Sequence, residues 1–116
     1  MKYAFAAAFL LASVPASVAY AHHGWSSYDE TRPITLNGRL RDVAWGNPHG
    51  TARMTWRGRA WDVVLAPVAR MEARGLTQTM IARGQRVRIT GYARKDGTRE
   101  MRLERLRVGD RTIEFR

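Results

Sequence analysis

The sequence contains no cysteine among its 116 residues. A disulfide framework, a thiolate metal site and a thiol nucleophile are therefore all excluded. Exported proteins often use disulfides but do not need them, so this absence says nothing about the compartment of the protein. Any stability must come from the core of one small domain, and any metal site must use nitrogen or oxygen ligands.

The sequence also lacks an apolar run long enough to cross a membrane comfortably. Its N-terminal apolar stretch, Ala4–Val14, is shorter than the ~20 residues that a spanning helix needs. Lys2 precedes this stretch and the small-residue site Ala19-Tyr20-Ala21 follows it, which is typical of a secretory signal peptide. We therefore expect residues 1–21 to be a signal peptide cut after Ala21, and the mature protein to be periplasmic or secreted. A cut after Ala19 and an uncleaved N-terminal anchor are the alternatives.

Lysine is scarce as well. Lys2 and Lys95 are the only lysines, yet the formal net charge is +10, so nearly all of the positive charge is arginine. A basic domain attracts polyanions, and for an exported protein these are anionic lipids or envelope glycans and not nucleic acid. The simpler interpretation is that the arginines, which alternate with apolar positions, are the solvent-facing residues of strands.

The rest of the chain has the alternation of apolar and polar residues that is typical of strands. A helical stretch opened by Pro67 separates three strand patterns from two or three later ones. Phase slips between Leu40 and Val43, and again between Leu103 and Leu106, predict bulges or bends in two strands. We predict a mainly β domain: a small OB-fold-like Greek-key barrel of five to six strands, with one short helix between strands 3 and 4. A small β-sandwich and an open meander are the alternatives.

Polar residues 22–33 precede the first strand pattern and predict an N-terminal arm, which leaves residues 34–116 for the barrel domain. Free arms fray unless something ties them down. Trp25 and Tyr28 are the apolar residues that can anchor this one.

The three histidines fall in two motifs, Ala21-His22-His23-Gly24-Trp25 and the loop Trp45-Gly46-Asn47-Pro48-His49. After cleavage, His22 offers its imidazole and the free α-amine, whose ordinary pKa of about 7.7–8.0 leaves part of it deprotonated at neutral pH. Together they close a chelate ring, and a second imidazole from His49 or His23 completes an all-nitrogen site that suits Cu(II). The set resembles the histidine brace of copper monooxygenases and copper-carrier proteins in its ligand chemistry alone. Alternatively, His22 and His23 only begin a polar arm, and His49 caps its loop by donating to a backbone carbonyl.

Four tryptophans are a high content for so small a domain. Trp56 and Trp61 fit the strand phases and are predicted to be core residues. Trp25 and Trp45 flank the two histidine motifs and, with Asn47, are candidate ligand-binding residues. The alternative is that the two flanking tryptophans close the open end of the barrel.

No catalytic constellation stands out in the sequence. Ser26, Asp29 and the histidines include the residue types of a hydrolase triad, but their spacing selects none, and no nucleophile-elbow pattern occurs. The acidic strand residues sit among arginines, as cross-strand partners do. We therefore predict a non-catalytic protein.

The order of these motifs resembles a family of small exported bacterial proteins that share a domain of unknown function. The shared features are a signal that ends before Ala-His-His, a following aromatic and Tyr-Asp, a first-strand glycine, a Trp-x-Asn-Pro-His loop, a strand tryptophan, Gly-Leu after the helix, a Gly-x-x-Val strand start and a Lys-Asp-Gly turn. In this sequence they are Ala21–His23, Trp25, Tyr28-Asp29, Gly38, Trp45–His49, Trp61, Gly75-Leu76, Gly84–Val87 and Lys95–Gly97. Gly24 departs from the serine that the family leads us to expect. The resemblance implies export and the fold, but it does not indicate which activity, if any, the protein has.

Two functional hypotheses follow. The first is an exported binding protein that holds copper through His22, His23 and His49. The second is an envelope interaction module whose arginine-rich surface binds anionic lipid, glycan or a protein partner. Neither hypothesis involves nucleic acid or a transmembrane span after signal cleavage.

Overall fold

The computed structural model of the protein describes residues 24–116, which form seven strands, two short helices and a 3-10 turn at Trp25–Ser27. The predicted signal peptide and both N-terminal histidines lie outside the described residues. Within the described part of the chain, no helix has the length and apolar character that crossing a membrane requires. The helices are α1 (Val68–Ala73) and α2 (Gln78–Ala82). The strands are β1 (Tyr28–Arg39), β2 (Arg41–Ala44), β3 (Thr51–Trp56), β4 (Arg59–Val64), β5 (Arg86–Arg94), β6 (Glu100–Val108) and β7 (Arg111–Glu114).

The mainly β class predicted from the sequence is confirmed. The seven strands join one sheet in the pairing order β1-β5-β6-β4-β3-β2, and β7 pairs with β6. Neighbours are antiparallel except for β4 and β6, which pair in parallel. β1 and β2 stand at opposite ends of this order, yet Leu40 alone separates them in the chain. The sheet therefore curls towards its own edge, and a Cβ at Gly38 in β1 would lie 3.4 Å from Cγ of Met54 in β3. The strand ladder is not closed, and the OB-like barrel stays a prediction.

The count of five to six strands is wrong, because the predicted long first strand divides at Leu40. Leu40 is buried, and Asp42 takes a positive φ of 52°, which L residues rarely adopt in a strand. This bend carries the chain from its pairing with β5 to its pairing with β3. The single predicted helix is in fact two helices, since Gly75, with a φ of 88°, ends α1, and the buried Leu76 lies in the segment that links α1 to α2.

The second predicted bulge is confirmed in the ladder between β5 and β6. Thr90 lies opposite Arg105, whereas Gly91 lies opposite Leu103, so Glu104 is an extra residue in β6. The extra residue shifts the alternation of β6 and lets apolar side chains on both sides of the bulge face the core.

Strand β1 begins inside the segment that the sequence predicts to be an irregular arm. Tyr28 pairs with Arg94, and the next pair joins Pro33 to Tyr92. β1 carries more residues than β5 between these pairs, so the ladder is irregular there. Residues 28–33 are therefore an irregular part of the strand itself.

The core lies between the curled sheet and the two helices, and its fully buried residues include Leu36, Met71 and Phe115. The prediction that Trp56 and Trp61 are core residues is wrong. Both are partly buried and pack against the core from its edge. Trp56 ends β3 beside the hairpin turn, where the Arg57 guanidinium covers its ring at 4.3 Å from the centroid. For Trp56, the position at the end of a strand leaves part of the ring in solvent.

Candidate functional site

The loop between β2 and β3 carries His49, and the core fixes its last residue. Gly50 is buried, donates its N–H to the Ala66 carbonyl at 3.0 Å and accepts the Leu65 N–H at 2.9 Å. A Cβ at this position would lie 3.0 Å from Met71 Cε, so glycine permits the close approach. The backbone next to His49 is consequently held on the core.

His49 is half-buried, and its Nδ1 lies 3.2 Å from the carbonyl oxygen of Gly50. Because a carbonyl oxygen can only accept, Nδ1 is the donor in this bond. In the neutral imidazole the proton on Nδ1 leaves Nε2 unprotonated, with a lone pair able to bind a ligand. This hydrogen bond is of the kind expected if His49 only caps its loop, which is the alternative to metal binding. The two roles are compatible, because metal-bound histidines commonly donate their other ring N–H to a carbonyl.

Trp25 holds the first described residues against the sheet. Its ring packs edge to face on Tyr28, with centroids 6.4 Å apart, and on Tyr92, with centroids 6.1 Å apart. The guanidinium carbons of Arg102 and Arg116 lie 4.2 Å and 3.9 Å from its ring centroid. The chain directly after the N-terminal histidines is thus anchored, as the sequence predicts for an aromatic at this position.

Gly24, Pro48 and His49 line the same groove, which has a volume of about 1010 Å³. Buried Ala52 and Val63 contribute to its lining from strands β3 and β4. The start of the described chain and the loop that ends in Pro48 and His49 therefore border the same groove.

Acidic and basic side chains pair along this groove. Among the described residues that line it are three arginines and three acids. Arg53 Nε lies 3.2 Å from Asp62 Oδ1, and an Arg94 guanidinium nitrogen lies 3.4 Å from Glu100 Oε2. The Tyr28 hydroxyl donates to Glu100 Oε1 at 2.7 Å. The charges of the groove are consequently close to balanced, and Glu100 has two donors.

Burial shapes the ionisation of two of these groups. It raises the pKa of Tyr28 above its ordinary value, and the hydrogen bond to the Glu100 carboxylate raises that pKa further. Burial also lowers the pKa of the Arg102 guanidinium, which stacks on Trp25. Tyr28 is therefore a neutral donor in the physiological range, and it orients Glu100 in the wall of the groove.

The structure brings together only part of the predicted site. His22 and His23 lie outside the described residues, and His49 lines the groove. Trp45 packs against the core and donates from Nε1 to Glu72 at 3.3 Å. Asn47 is exposed. Neither of these two, nor Trp25, is among the described residues that line the groove.

Sequence reasoning missed the groove residues Glu100, Arg94 and Arg102. Glu100 and Tyr28 are 72 positions apart in the chain, and no spacing pattern connects them. The Tyr-Asp motif singled out Tyr28 as an anchor, but it gave no indication of the acid that Tyr28 contacts.

Residues 24–116 contain no group of three or more histidine, aspartate or glutamate side chains placed to hold a metal ion. His49 is the single histidine in this range. Among residues 24–116, His49 therefore has no second imidazole with which to share a metal ion.

Comparison with known proteins gives a family and no activity. The model of DUF6152, described as a family of unknown function, matches residues 9–102. This range includes both histidine motifs and all the described residues that line the groove. No curated protein matches the chain.

Proposed function

Because this chain belongs to DUF6152, a family of unknown function, we propose its function from the groove itself: it is an exported, non-catalytic protein that binds copper. Cleavage after Ala21 leaves His22 at the amino terminus of the mature protein. The α-amine, the imidazoles of His22 and His23, and Nε2 of His49 are the ligands.

The position of Gly24 is the observation that carries this proposal. Gly24 lines the same groove as His49, and it directly follows His23 in the chain. Since adjacent Cα atoms are ~3.8 Å apart, the Cα atoms of His23 and His22 can lie no farther than about 4 and 8 Å from that of Gly24. This covalent limit supports a site in which the N-terminal histidines and His49 bind one metal ion.

The state of His49 adds a second argument. Its Nδ1 donates to the Gly50 carbonyl, so the ring orientation is set and Nε2 remains for a metal. Gly50 is itself fixed by two backbone hydrogen bonds. A ligand held this way loses little conformational entropy when a metal binds.

Anchoring of the N-terminal segment is the third argument. Trp25 packs on two tyrosines and stacks with two arginines, and the Ser27 carbonyl accepts the Lys95 N–H at 3.0 Å. The metal-binding end therefore starts from a fixed point on the sheet. An amine and imidazoles supply the all-nitrogen, tetragonal set that suits Cu(II).

The experiment is a Cu(II) titration of the mature protein that begins at His22, followed by visible absorption and electron paramagnetic resonance. We expect one Cu(II) per chain, and we expect His49→Ala to weaken binding by at least about tenfold. A peptide of residues 22–27 is the matched control, because it carries the amine and both N-terminal histidines without the groove. Equal affinity of the wild type, His49→Ala and this peptide would overturn the role of the groove.

The N-terminus needs its own test. Mass spectrometry of the protein exported from cells should give a chain that begins at His22. A chain that begins at Tyr20, or one that keeps residues 1–21, removes the amine from the ligand set and contradicts this form of the site.

A second candidate function is interaction with an anionic component of the cell envelope. The arginine-rich outer surface supports it, because three arginines and three threonines border one open depression on the sheet. Salt-sensitive association with anionic vesicles is the expected behaviour, and an association that ionic strength leaves unchanged would count against this function.

A further inference from the structure

The outer side of the β1-β5-β6-β7 ladder carries a polar region of a different kind from the groove. The outward side chains of cross-strand partners meet there around an open depression of about 270 Å³. We name this region the arginine–threonine face, and its residues are Thr35, Arg88, Thr90, Arg105, Arg107 and Thr112.

Register places like charges opposite each other on this face. Arg88 and Arg107 are direct partners across the antiparallel β5–β6 ladder, and Thr90 is the partner of Arg105. Directly opposed residues have Cβ atoms ~5 Å apart, and like charges at that separation destabilise a sheet. Arg88 and Arg107 therefore repel each other when nothing negative lies between them.

One acid on the described part of the chain reduces this charge. Glu114 of β7 is the partner of Arg105, and its Oε1 lies 2.6 Å from Arg105 Nε. Counted together with the Glu114 carboxylate beside it, the arginine–threonine face carries three positive charges and one negative charge, a net charge of +2. Arg88 and Arg107 have no ion pair with an acid among residues 24–116.

Hydroxyl groups complete the set of donors. Thr35 Oγ1 and Thr90 Oγ1 are 3.1 Å apart and share one hydrogen bond. Two hydroxyl groups carry two protons, and this bond uses one, so the other is available to donate to a ligand. The face thus offers guanidinium forks beside a hydroxyl donor.

We propose that the arginine–threonine face binds a phosphate group. Guanidinium groups donate two parallel N–H bonds to phosphate oxygens, and an anionic phosphate group placed between Arg88 and Arg107 replaces their repulsion by attraction. The face shares no residue with the lining of the groove, so the proposal does not depend on copper binding. It rests on the second candidate function and specifies the anionic component as a phosphate group.

The first experiment measures thermal unfolding of the mature protein in sodium phosphate and in sodium chloride at equal ionic strength. Equal ionic strength matters because any salt screens the repulsion between arginines. Phosphate at about ten times its Kd should raise the Tm by about 7 °C more than chloride does, since the ligand binds the folded state alone.

Arg88→Gln is the test variant and Arg59→Gln is its matched control. Arg59 is an exposed strand arginine that does not border the depression, so both variants lose one charge. We expect Arg88→Gln to be at least as stable as the wild type in chloride, because repulsion is removed, and to lose the extra rise in phosphate. Arg59→Gln should keep that rise, and Arg107→Gln should repeat the behaviour of Arg88→Gln.

The second experiment separates the two sources of a phosphate group. Cosedimentation with phosphatidylglycerol vesicles, but not with phosphatidylcholine vesicles, and its loss in Arg88→Gln, would assign the group to a lipid headgroup. A phosphate-specific rise in Tm without vesicle binding would assign it to a soluble phosphate compound. The proposal is overturned if phosphate and chloride act alike, or if Arg88→Gln and Arg59→Gln respond equally. Copper affinity should be unchanged in Arg88→Gln, so this proposal and the copper proposal can fail separately.

Discussion

The groove and the arginine–threonine face use the same residue type in opposite ways. In the groove, arginines have partners: Arg53 pairs with Asp62, Arg94 pairs with Glu100, and Arg102 stacks on Trp25. On the face, Arg88 and Arg107 stand opposite each other across two strands. The groove is close to neutral, and the face keeps a net positive charge.

This difference indicates that an anion site in a basic protein is located by which arginines lack an acidic partner, and not by the net charge of the protein. A formal charge of +10 describes the whole chain, and exposed ion pairs contribute little to stability in any case. Arginines that have acids beside them leave little net charge along the groove. Arginines that face each other leave an attraction for an anion that the fold itself does not satisfy.

The largest predicted effect concerns the ladder that both regions share. A Cβ at Gly91 would overlap the backbone carbonyl oxygen of Arg102 and lie 3.0 Å from Leu103 Cα. We expect Gly91→Ala to lower the free energy of unfolding by about 3 kcal/mol, because backbone on both strands must move. Urea denaturation measures this loss, and copper binding and the phosphate response should weaken together.

Gly46→Ala is the control for this variant. Gly46 lies in the β2–β3 loop with no atom within 4 Å of its Cβ position, and its replacement should change stability by less than about 0.5 kcal/mol. If Gly91→Ala were as stable as the control, the close approach of β5 and β6 at the bulge would be wrong, and the two regions would not share a rigid ladder.

Local sequence signals predicted much of the fold. Alternation gave the strands, and the phase slip between Leu103 and Leu106 gave the bulge at Glu104, because buried side chains on both sides of it require an extra residue. The phase slip between Leu40 and Val43 predicted the bend, but the number of strands was wrong, since the division of the first strand depends on which neighbours its two halves find. Alternation reports the face of a strand but not its partners.

The candidate site was predictable to a smaller extent for the same reason. The loop motif pointed to His49, and the structure places it in the groove. Tyr28 contacts Glu100, and Arg88 lies opposite Arg107. Predicting either pair requires knowledge of the register between the strands that carry its two residues. Alternating arginines were interpreted as ordinary solvent-facing residues, and only their register distinguishes the face from such a surface.

The second prediction acts on the groove alone. Tyr28→Phe removes the hydroxyl that donates to Glu100 and should cost about 1 kcal/mol of stability at about pH 8. Burial and this bond raise the pKa of Tyr28 in the folded state above its ordinary value. Its contribution is therefore complete below about pH 10 and is lost as the pH rises towards the folded-state pKa, because the unfolded state releases the proton first.

The measurement is urea denaturation of both proteins at a series of pH values from about 8 upward. The difference in stability between wild type and Tyr28→Phe should narrow above about pH 10. Parallel curves throughout would show that the phenol is not held as its contacts indicate. The phosphate response should be the same in both proteins, since Tyr28 does not border the arginine–threonine face.

The smallest predicted effect tests the difference in charge between the groove and the arginine–threonine face most directly. Glu114→Gln keeps an oxygen acceptor for Arg105 but removes the one negative charge that is paired on the face, which raises its net charge from +2 to +3. Because the added attraction acts through solvent, we expect the affinity for phosphate to rise by only about twofold. Isothermal calorimetry at low salt measures it, with Glu72→Gln on α1 as the matched loss of one exposed acid. An equal rise in both variants would mean that phosphate responds to the charge of the whole protein, and the face would then be no different from the rest of the surface.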